Sequence, residues 1–421
     1  MQRAKLEVSD LYQHLVDEVF LPYKANEDRV GIEVEFFPML LSHLNTGAAQ
    51  PKRNEGSGFM GLYPWLLLLA DRHGWKPASV ESSAAIAFVL PKGGRVMLEP
   101  GGQIEYSTLP RKRYQDALSD AEEFEQLLTD EGRGVGLTFL AEGFNSRLGS
   151  ATPRLIVEKP RYLLMDKHFA EIGPYGRMMM RQTCATQINL DFGAPEIATE
   201  RWKLANLVAS PLNALFANSP HLLDETCRPS FRYEIWRRTD PCRTNFPQEA
   251  IHSLNPAEAY LRFALDASVL VISDEIDGFR SPDHPMTFHE WMTEGERSYP
   301  DIDDWCVHLT TLFPDVRPRG FIEIRSIDAL STHERHAVVV LTTGLLYNNK
   351  LRRRGLELLK DPVTLSQAEP TASWENRYKV GQKLLEIGLE ELESDELIWY
   401  HEEYAVCGKT PADSMVELID A

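Results

Sequence analysis

The chain has 421 residues, 43% of them hydrophobic and 25% charged, with 8 Trp, a composition that suits a globular protein with ample core. Its 63 acidic against 44 basic residues give a net charge of -19, which opposes attraction to nucleic acid backbones and anionic membranes and sets both aside as partners. The five cysteines (Cys184, Cys227, Cys242, Cys306 and Cys407) are widely spaced with no C-x-x-C pair, so neither a zinc site nor a disulfide framework is suggested and a reducing cytoplasm fits.

Met1 to Asp10 lacks the apolar core of a secretory signal, and no apolar run approaches the ~20 residues of a membrane-spanning helix. A cytoplasmic protein is expected. Leu11, Leu15 and Val19 recur at helical spacing within Lys5 to Phe20, with Ser9 or Asp10 as cap. A short strand over Arg29 to Phe37 follows, then a Gly-, Asn- and Pro-rich loop from Ser42 to Gly58, then a buried helix from Leu62 to His73. Gly93 and Gly94 turn the chain into a strand at Arg95 to Glu99. Arg113 to Asp130 reads as an amphipathic helix, Met178 to Phe192 as an alternating strand, Arg201 to Phe216 as a helix and Gly320 to Asp328 as a strand. Helical material fills Thr332 to Leu359 and Ala372 to Leu392. With no repeat or linker in view, residues 1–421 are expected to form a single catalytic domain whose C-terminal part, from about 332 to 421, is helical.

Residues two apart in a strand share a face, and four segments use that rule alike. GIEVEFF puts Glu33 and Glu35 opposite Ile32, Val34 and Phe36. RVMLEPGGQIEYS carries Glu99 before a Pro-Gly-Gly break and Gln103 with Glu105 after it. RQTCATQINLDF sets Arg181, Thr183, Gln187, Asn189 and Asp191 against Ile188, Leu190 and Phe192, and GFIEIRSID sets Glu323 and Arg325 against Ile322 and Ile324. A single strand of this kind is usually just half exposed to water. Four of them, choosing paired carboxylates with Gln and Asn, point to an antiparallel sheet around a polar cavity, with helices on its apolar side. If Glu33, Glu35, Glu99, Glu105 and Glu323 converge there, their repulsion calls for cations. Such hard oxygen donors suit Mg²⁺ or Mn²⁺ beside nucleotide phosphates, and Arg325 and Arg181 would meet phosphate or carboxylate.

The pieces GIEVE, LEPGGQIEYS, TCATQINLDF, ALFANSP and RPRGFIEIRSIDA, in this order, resemble the glutamate–cysteine ligase family of the carboxylate–amine ligases, in its plant and actinobacterial branches. TTLFPDVRPRGFIEIR is especially similar to ligases that begin ergothioneine synthesis. The resemblance implies an α+β fold, a six-stranded antiparallel sheet forming a funnel with helices on its outer face, as in the glutamine-synthetase-like carboxylate–amine ligases. It implies ATP-dependent joining of the glutamate γ-carboxyl to the cysteine amine through an acyl phosphate, in a monomer or homodimer. Glu33, Glu35, Glu99, Glu105 and Glu323 would hold Mg²⁺ or Mn²⁺; Gln187, Asn189 and Arg319 would sit by the ATP phosphates; Arg325, with Glu323, would serve the transferred phosphoryl. Arg181, one position before the place where plant members carry their Arg, and Arg232 and Arg243 in SFRYEIWRRTDPCRT are the candidates for the substrate carboxylates. The product could lead to glutathione or ergothioneine. The alternatives are a ligase of this fold using a different amine and an inactive ATP-binding homologue.

Other signals are weaker. Gly56 to Gly61 fits G-x-G-x-x-G, but a loop precedes it rather than a strand, which argues against a dinucleotide site. Cys184 is expected to face the apolar side as an inert thiol, and no redox switch is expected. His333 and His336 share helical spacing without a third ligand, Met178 to Met180 are expected to pack between sheet and helix, and ALFANSP is expected to support the sheet structurally.

Overall fold

The computed structural model describes residues 6–20, 28–41, 61–78, 86–148, 153–223, 226–274 and 278–420; the loop expected over Ser42 to Gly58 and all but the last residue of the Gly56 to Gly61 motif lie outside these. In chain order the strands are β1 (Val30–Leu40), β2 (Lys76–Pro77), β3 (Ala87–Val89), β4 (Arg95–Leu98), β5 (Ile104–Ser107), β6 (Leu137–Leu140) and β7 (Thr186–Leu190). Then come β8 (His221–Leu223), β9 (Thr226–Arg228), β10 (Ile272–Asp274), β11 (Gly278–Arg280), β12 (Val316–Pro318) and β13 (Ile322–Ile324). Pairs β8 with β9 and β10 with β11 are separate ribbons. The rest form one antiparallel sheet in the order β12-β13-β7-β1-β5-β4-β3-β2, with β6 beside the C-terminal half of β1. That is nine strands among the described residues, against the six expected. The additional strands run for only two to four residues, too short for alternation to reveal.

The sheet is sorted by face. Ile32, Val34, Phe36, Val96, Ile104, Ile188, Leu190, Ile322 and Ile324 are all buried on one side, each contributing about 1.5–3 kcal/mol through removal from water. Helices cover them: Tyr114–Arg133 packs on β1, Pro195–Leu215 on β13 and Thr332–Tyr347 on β7. The C-terminal helices, Trp374–Glu391 foremost, pack in turn on Pro195–Leu215. Gly381 lets those two approach, since a Cβ there would lie 2.7 Å from the carbonyl oxygen of Pro211. One continuous hydrophobic core runs from Leu11 to Ala405.

Three sequence readings need correction, one of them the cap of the N-terminal helix, which is Glu7 and not Ser9 or Asp10. Met178 to Phe192 is not one strand: Tyr175–Gln182 is a helix, followed by β7. Arg177 and Arg181, four apart and so on one helix face, both reach Asp166. Strand parity therefore does not apply to Arg181. The strand expected over Gly320 to Asp328 holds ladder pairing only at Ile322–Ile324, and its partner β12 supplies the hairpin. The N-terminal helix is capped at Glu7, whose N–H donates to Asp10 at 2.9 Å, and its last turn, Leu15–Val19, widens to a π-helix.

The family-like pieces are stitched to one another by buried hydrogen bonds. Asp328, fully buried, accepts from Asn218 N–H at 2.9 Å, Ser219 Oγ at 2.6 Å and Ser230 Oγ at 3.2 Å, so ALFANSP does support the sheet. Gln103 donates to the Thr183 carbonyl at 2.9 Å and its own carbonyl oxygen accepts from Gly101 N–H at 3.0 Å. Gly101 is pressed against the end of helix Tyr175–Gln182: a Cβ there would lie 2.4 Å from the carbonyl oxygen of Arg181. Gly101→Ala should therefore cost about 1–3 kcal/mol in urea unfolding. Gly134→Ala, whose added Cβ meets nothing nearer than 3.6 Å, should stay within about 0.5 kcal/mol; equal effects would show that the close approach does not constrain residue 101.

Candidate active site

Directly paired residues share a face, so the registers fix what the polar side holds. Glu33 lies opposite Gln187 on β7 and Ser107 on β5, Glu35 opposite Glu105, and Glu323 opposite both Asn189 and Arg317. This face and the helices around it line a cavity of about 660 Å³, to which Glu33, Glu35, Glu99, Glu105, Gln187, Arg232, Arg317, Arg319, Glu323 and Arg325 all contribute.

The cavity divides along the strand order. On β12 and β13, Glu323 accepts from Arg317 Nε at 2.6 Å, Arg319 Nη1 at 3.0 Å and Arg325 Nη1 at 3.0 Å. Burial works against its ionisation, but Arg317, Arg325 and Arg319 together hold its carboxyl well below the usual range. On β1, β4 and β5 the carboxylates crowd one another. Burial pushes Glu33, Glu99 and Glu105 up, with further repulsion from Glu323 on Glu33, from Glu33 on Glu99, and from Glu33, Glu99 and Glu35 on Glu105. Glu35 is pushed up to about 7, by burial first and then by Glu99. Gln187 joins the halves, donating to Glu35 Oε1 at 2.9 Å while its carbonyl oxygen accepts from Arg325 Nη1 at 2.9 Å. Asn189 donates to Glu33 at 2.9 Å, and the Ala185 N–H donates to Glu35 at 2.8 Å.

Among the described residues no three His, Cys, Asp or Glu side chains stand close enough to share an ion. The donor chemistry of Glu33, Glu35, Glu99 and Glu105 nevertheless fits a divalent cation: all are carboxylates, all face one cavity, and all carry raised pKa values that a hard cation would reverse. Glu323 differs from the expectation for a metal ligand, because guanidiniums already occupy both its oxygens.

Two expected substrate arginines do not reach the cavity. Arg181 pairs with Asp166 and donates to the Pro153 carbonyl at 2.7 Å. Arg243 is fully buried, bonded to Asp240 at 2.6 Å, the Thr311 carbonyl at 3.2 Å and the Ser268 carbonyl at 2.9 Å. Arg232 does line it, donating to the carbonyls of Ser326 at 3.1 Å and Arg325 at 2.8 Å. Trp236 lies beneath two guanidiniums, 5.2 Å from Arg232 and 5.4 Å from Arg325. Sequence reasoning missed Trp236, Arg317 and Lys159 as lining residues. The first two sit within motifs already singled out, whereas Lys159 precedes helix Pro160–Ile172 and carries no periodic signal. Cys184 is buried beside Phe37, Met39 and Ala329, with its thiol pushed up by burial.

The chain matches Glutamate-cysteine ligase family 2 over residues 29–386. It is 27% identical over 377 residues to the chloroplastic glutamate–cysteine ligase of Nicotiana tabacum, covering 83% of this chain and 70% of that protein. It is 31% identical over 309 residues to glutamate–cysteine ligase EgtA of Mycobacterium tuberculosis, covering 69% and 66%. A solved glutamate–cysteine ligase from Francisella tularensis in complex with AMP aligns over 94% of this chain and 85% of its own, with a TM-score of 0.49 and 11% identity, a distant likeness. No helix among the described residues is long and apolar enough to cross a membrane.

The raised Glu35 pKa sets a pH dependence of stability. The unfolded chain loses this proton near pH ~4.3, the folded one near 7, so stability falls as pH rises through that window. At about 1.4 kcal/mol per pKa unit the loss approaches 3–4 kcal/mol above pH 7. Urea midpoints of metal-free protein should therefore drop between pH 5 and 8, less steeply in Glu35→Gln, and millimolar Mg²⁺ should recover part of the loss. An unchanged slope in Glu35→Gln would remove Glu35 as its source.

Proposed function

Because the chain belongs to Glutamate-cysteine ligase family 2, we propose that it joins the γ-carboxyl of L-glutamate to the amine of L-cysteine, with ATP as co-substrate and Mg²⁺ as cofactor. The observation that carries this reading is the division of one cavity into an acidic side of four carboxylates and a basic side of arginines. A substrate bearing phosphates and a carboxylate, brought in with divalent cations, needs both. The whole chain, residues 1–421, is assigned to one catalytic unit, since one hydrophobic cluster reaching from Leu11 to Ala405 backs the sheet that carries this cavity.

Glu33, Glu35, Glu99 and Glu105 would hold the cations, whose chemistry here is neutralisation and polarisation of the phosphate oxygens. Phosphoryl transfer asks for positioning and charge stabilisation more than covalent chemistry. Arg325, held by Glu323 and Gln187, would receive the transferred phosphoryl, and Arg319 the flanking phosphates. Gln187 and Asn189 orient the acids of β1 beside the nucleotide. Arg232 would take a substrate carboxylate. In the first step a γ-carboxylate oxygen of glutamate forms a bond to the γ-phosphorus and the bond to ADP breaks, giving γ-glutamyl phosphate. In the second the cysteine nitrogen bonds to the acyl carbon, phosphate leaves, and the nitrogen loses its proton. The Glu323 carboxylate is assigned to holding the three arginines in place.

Purified protein should release ADP from ATP in a Mg²⁺-dependent manner with glutamate plus cysteine, and γ-glutamylcysteine should accumulate in equal amount. Glu99→Gln should lower turnover at least about 100-fold, and Arg325→Met by about 10²–10³, the scale of losing a charge-stabilising group. Arg243→Lys should act on stability rather than on turnover of the folded fraction. ADP release with another amine and not with cysteine would reassign the acceptor; no release with any amine in a protein that still binds ATP would overturn the ligase.

A further inference from the structure

A second cavity, of about 220 Å³, lies behind Trp236 and Phe313, which also wall the catalytic cavity. Its lining carries one base and one acid, Arg237 and Asp315, together with the amides of Asn206, Asn245 and Gln248 and the apolar side chains of Phe246 and Ile251. Among the described residues no hydrogen bond or ion pair engages the Arg237 guanidinium. Asp315 accepts from the Tyr233 hydroxyl at 3.0 Å. Burial outweighs that bond and the nearby Arg237, Arg232 and Arg377, leaving the Asp315 carboxyl raised, as befits a carboxylate with no cation in contact.

We propose that this cavity binds a small zwitterionic α-amino acid, its carboxylate on Arg237, its ammonium on Asp315 and its side chain against Phe246 and Ile251. Asp315 disfavours a phosphate or other dianion here, and Arg237 disfavours a plain hydrocarbon or amine; an acid and a base lining one small cavity with apolar side chains match the three parts of an amino acid. The site communicates with the catalytic face by two routes. Trp236 separates the bound ligand from Arg232 and Arg325, and the Asp315 carbonyl accepts from the Arg325 N–H at 2.9 Å.

Calorimetric titration of the full chain tests this with L-leucine, L-methionine and L-phenylalanine, which have no side-chain carboxyl, and with isobutyrate and n-butylamine as half-ligands. No ATP, glutamate or cysteine is present, so the result does not depend on ligase activity. At least one amino acid should bind saturably, about tenfold or more tighter than either half-ligand. Binding should weaken about tenfold or more in Arg237→Met and in Gln248→Trp, which fills the space, and persist in Arg232→Met, which alters the catalytic cavity. Should one of the first two fail to fold, the other carries the test. Loss in Arg232→Met with retention in Arg237→Met would place the ligand in the catalytic cavity and overturn the proposal. So would isobutyrate binding as tightly as the amino acids, or no saturable binding by any of the three up to about 10 mM.

Discussion

Everything in this protein is arranged around carboxylates that repel one another across adjacent strands. Glu35 and Glu105 are directly paired, and Glu33 stands two residues from Glu35 on the same face. Like charges so placed oppose sheet formation, and burial adds to the cost. The fold tolerates them because the opposite face of the same strands is largely apolar and covered by helices, because amides on β7 donate to two of the acids, and because three arginines hold Glu323 ionised. What remains unbalanced is the acidic half, and that imbalance is the chemical basis for assigning cations to it.

The same constraint explains why so much was legible in the sequence. Residues 30–36, 104–107, 187–190 and 322–324 alternate because one side must be apolar to bury and the other must carry the chemistry, so the period of two survives in GIEVEF and QINL alike. The family-like motifs then identified which face mattered. Where the alternation belonged to something else, it misled. Met178 to Gln182 reads as the start of the alternating strand that begins only at Thr186, yet it winds as a helix, which turns Arg181 toward Asp166 rather than into the cavity. Arg243 gave no sign that it would be buried, since beside nearby Asp240 the acceptors that hold it are the carbonyls of Thr311 and Ser268, distant in sequence. The identity of Glu323 as a charged residue on the polar face was visible; its saturation by Arg317 and Arg319 depended on the β12 hairpin, three residues long and without a pattern of its own.

The motifs themselves divide between chemistry and carpentry. In LEPGGQIE, Glu99, Gln103 and Glu105 line the cavity, while Gly101 and the Gln103 amide also fasten the turn to the end of helix Tyr175–Gln182. In GFIEIRSID, Glu323 and Arg325 face the cavity, while Asp328 fastens ALFANSP and Ser230 from behind. Each motif thus carries its reactive groups and its anchor on one short segment, which fixes the positions of the first by the packing of the second.

Gln187 gives the site a handedness of its own. A primary amide is nearly symmetric in shape but has opposite ends, and here the NH₂ end meets Glu35 while the oxygen end meets Arg325. Rotating it by half a turn would set NH₂ against guanidinium and oxygen against carboxylate, two repulsions in place of two attractions. The side chain therefore has one permitted orientation, and through it a proton gained or lost at Glu35 alters the grip on Arg325. A single neutral residue makes the two oppositely charged halves answer to each other.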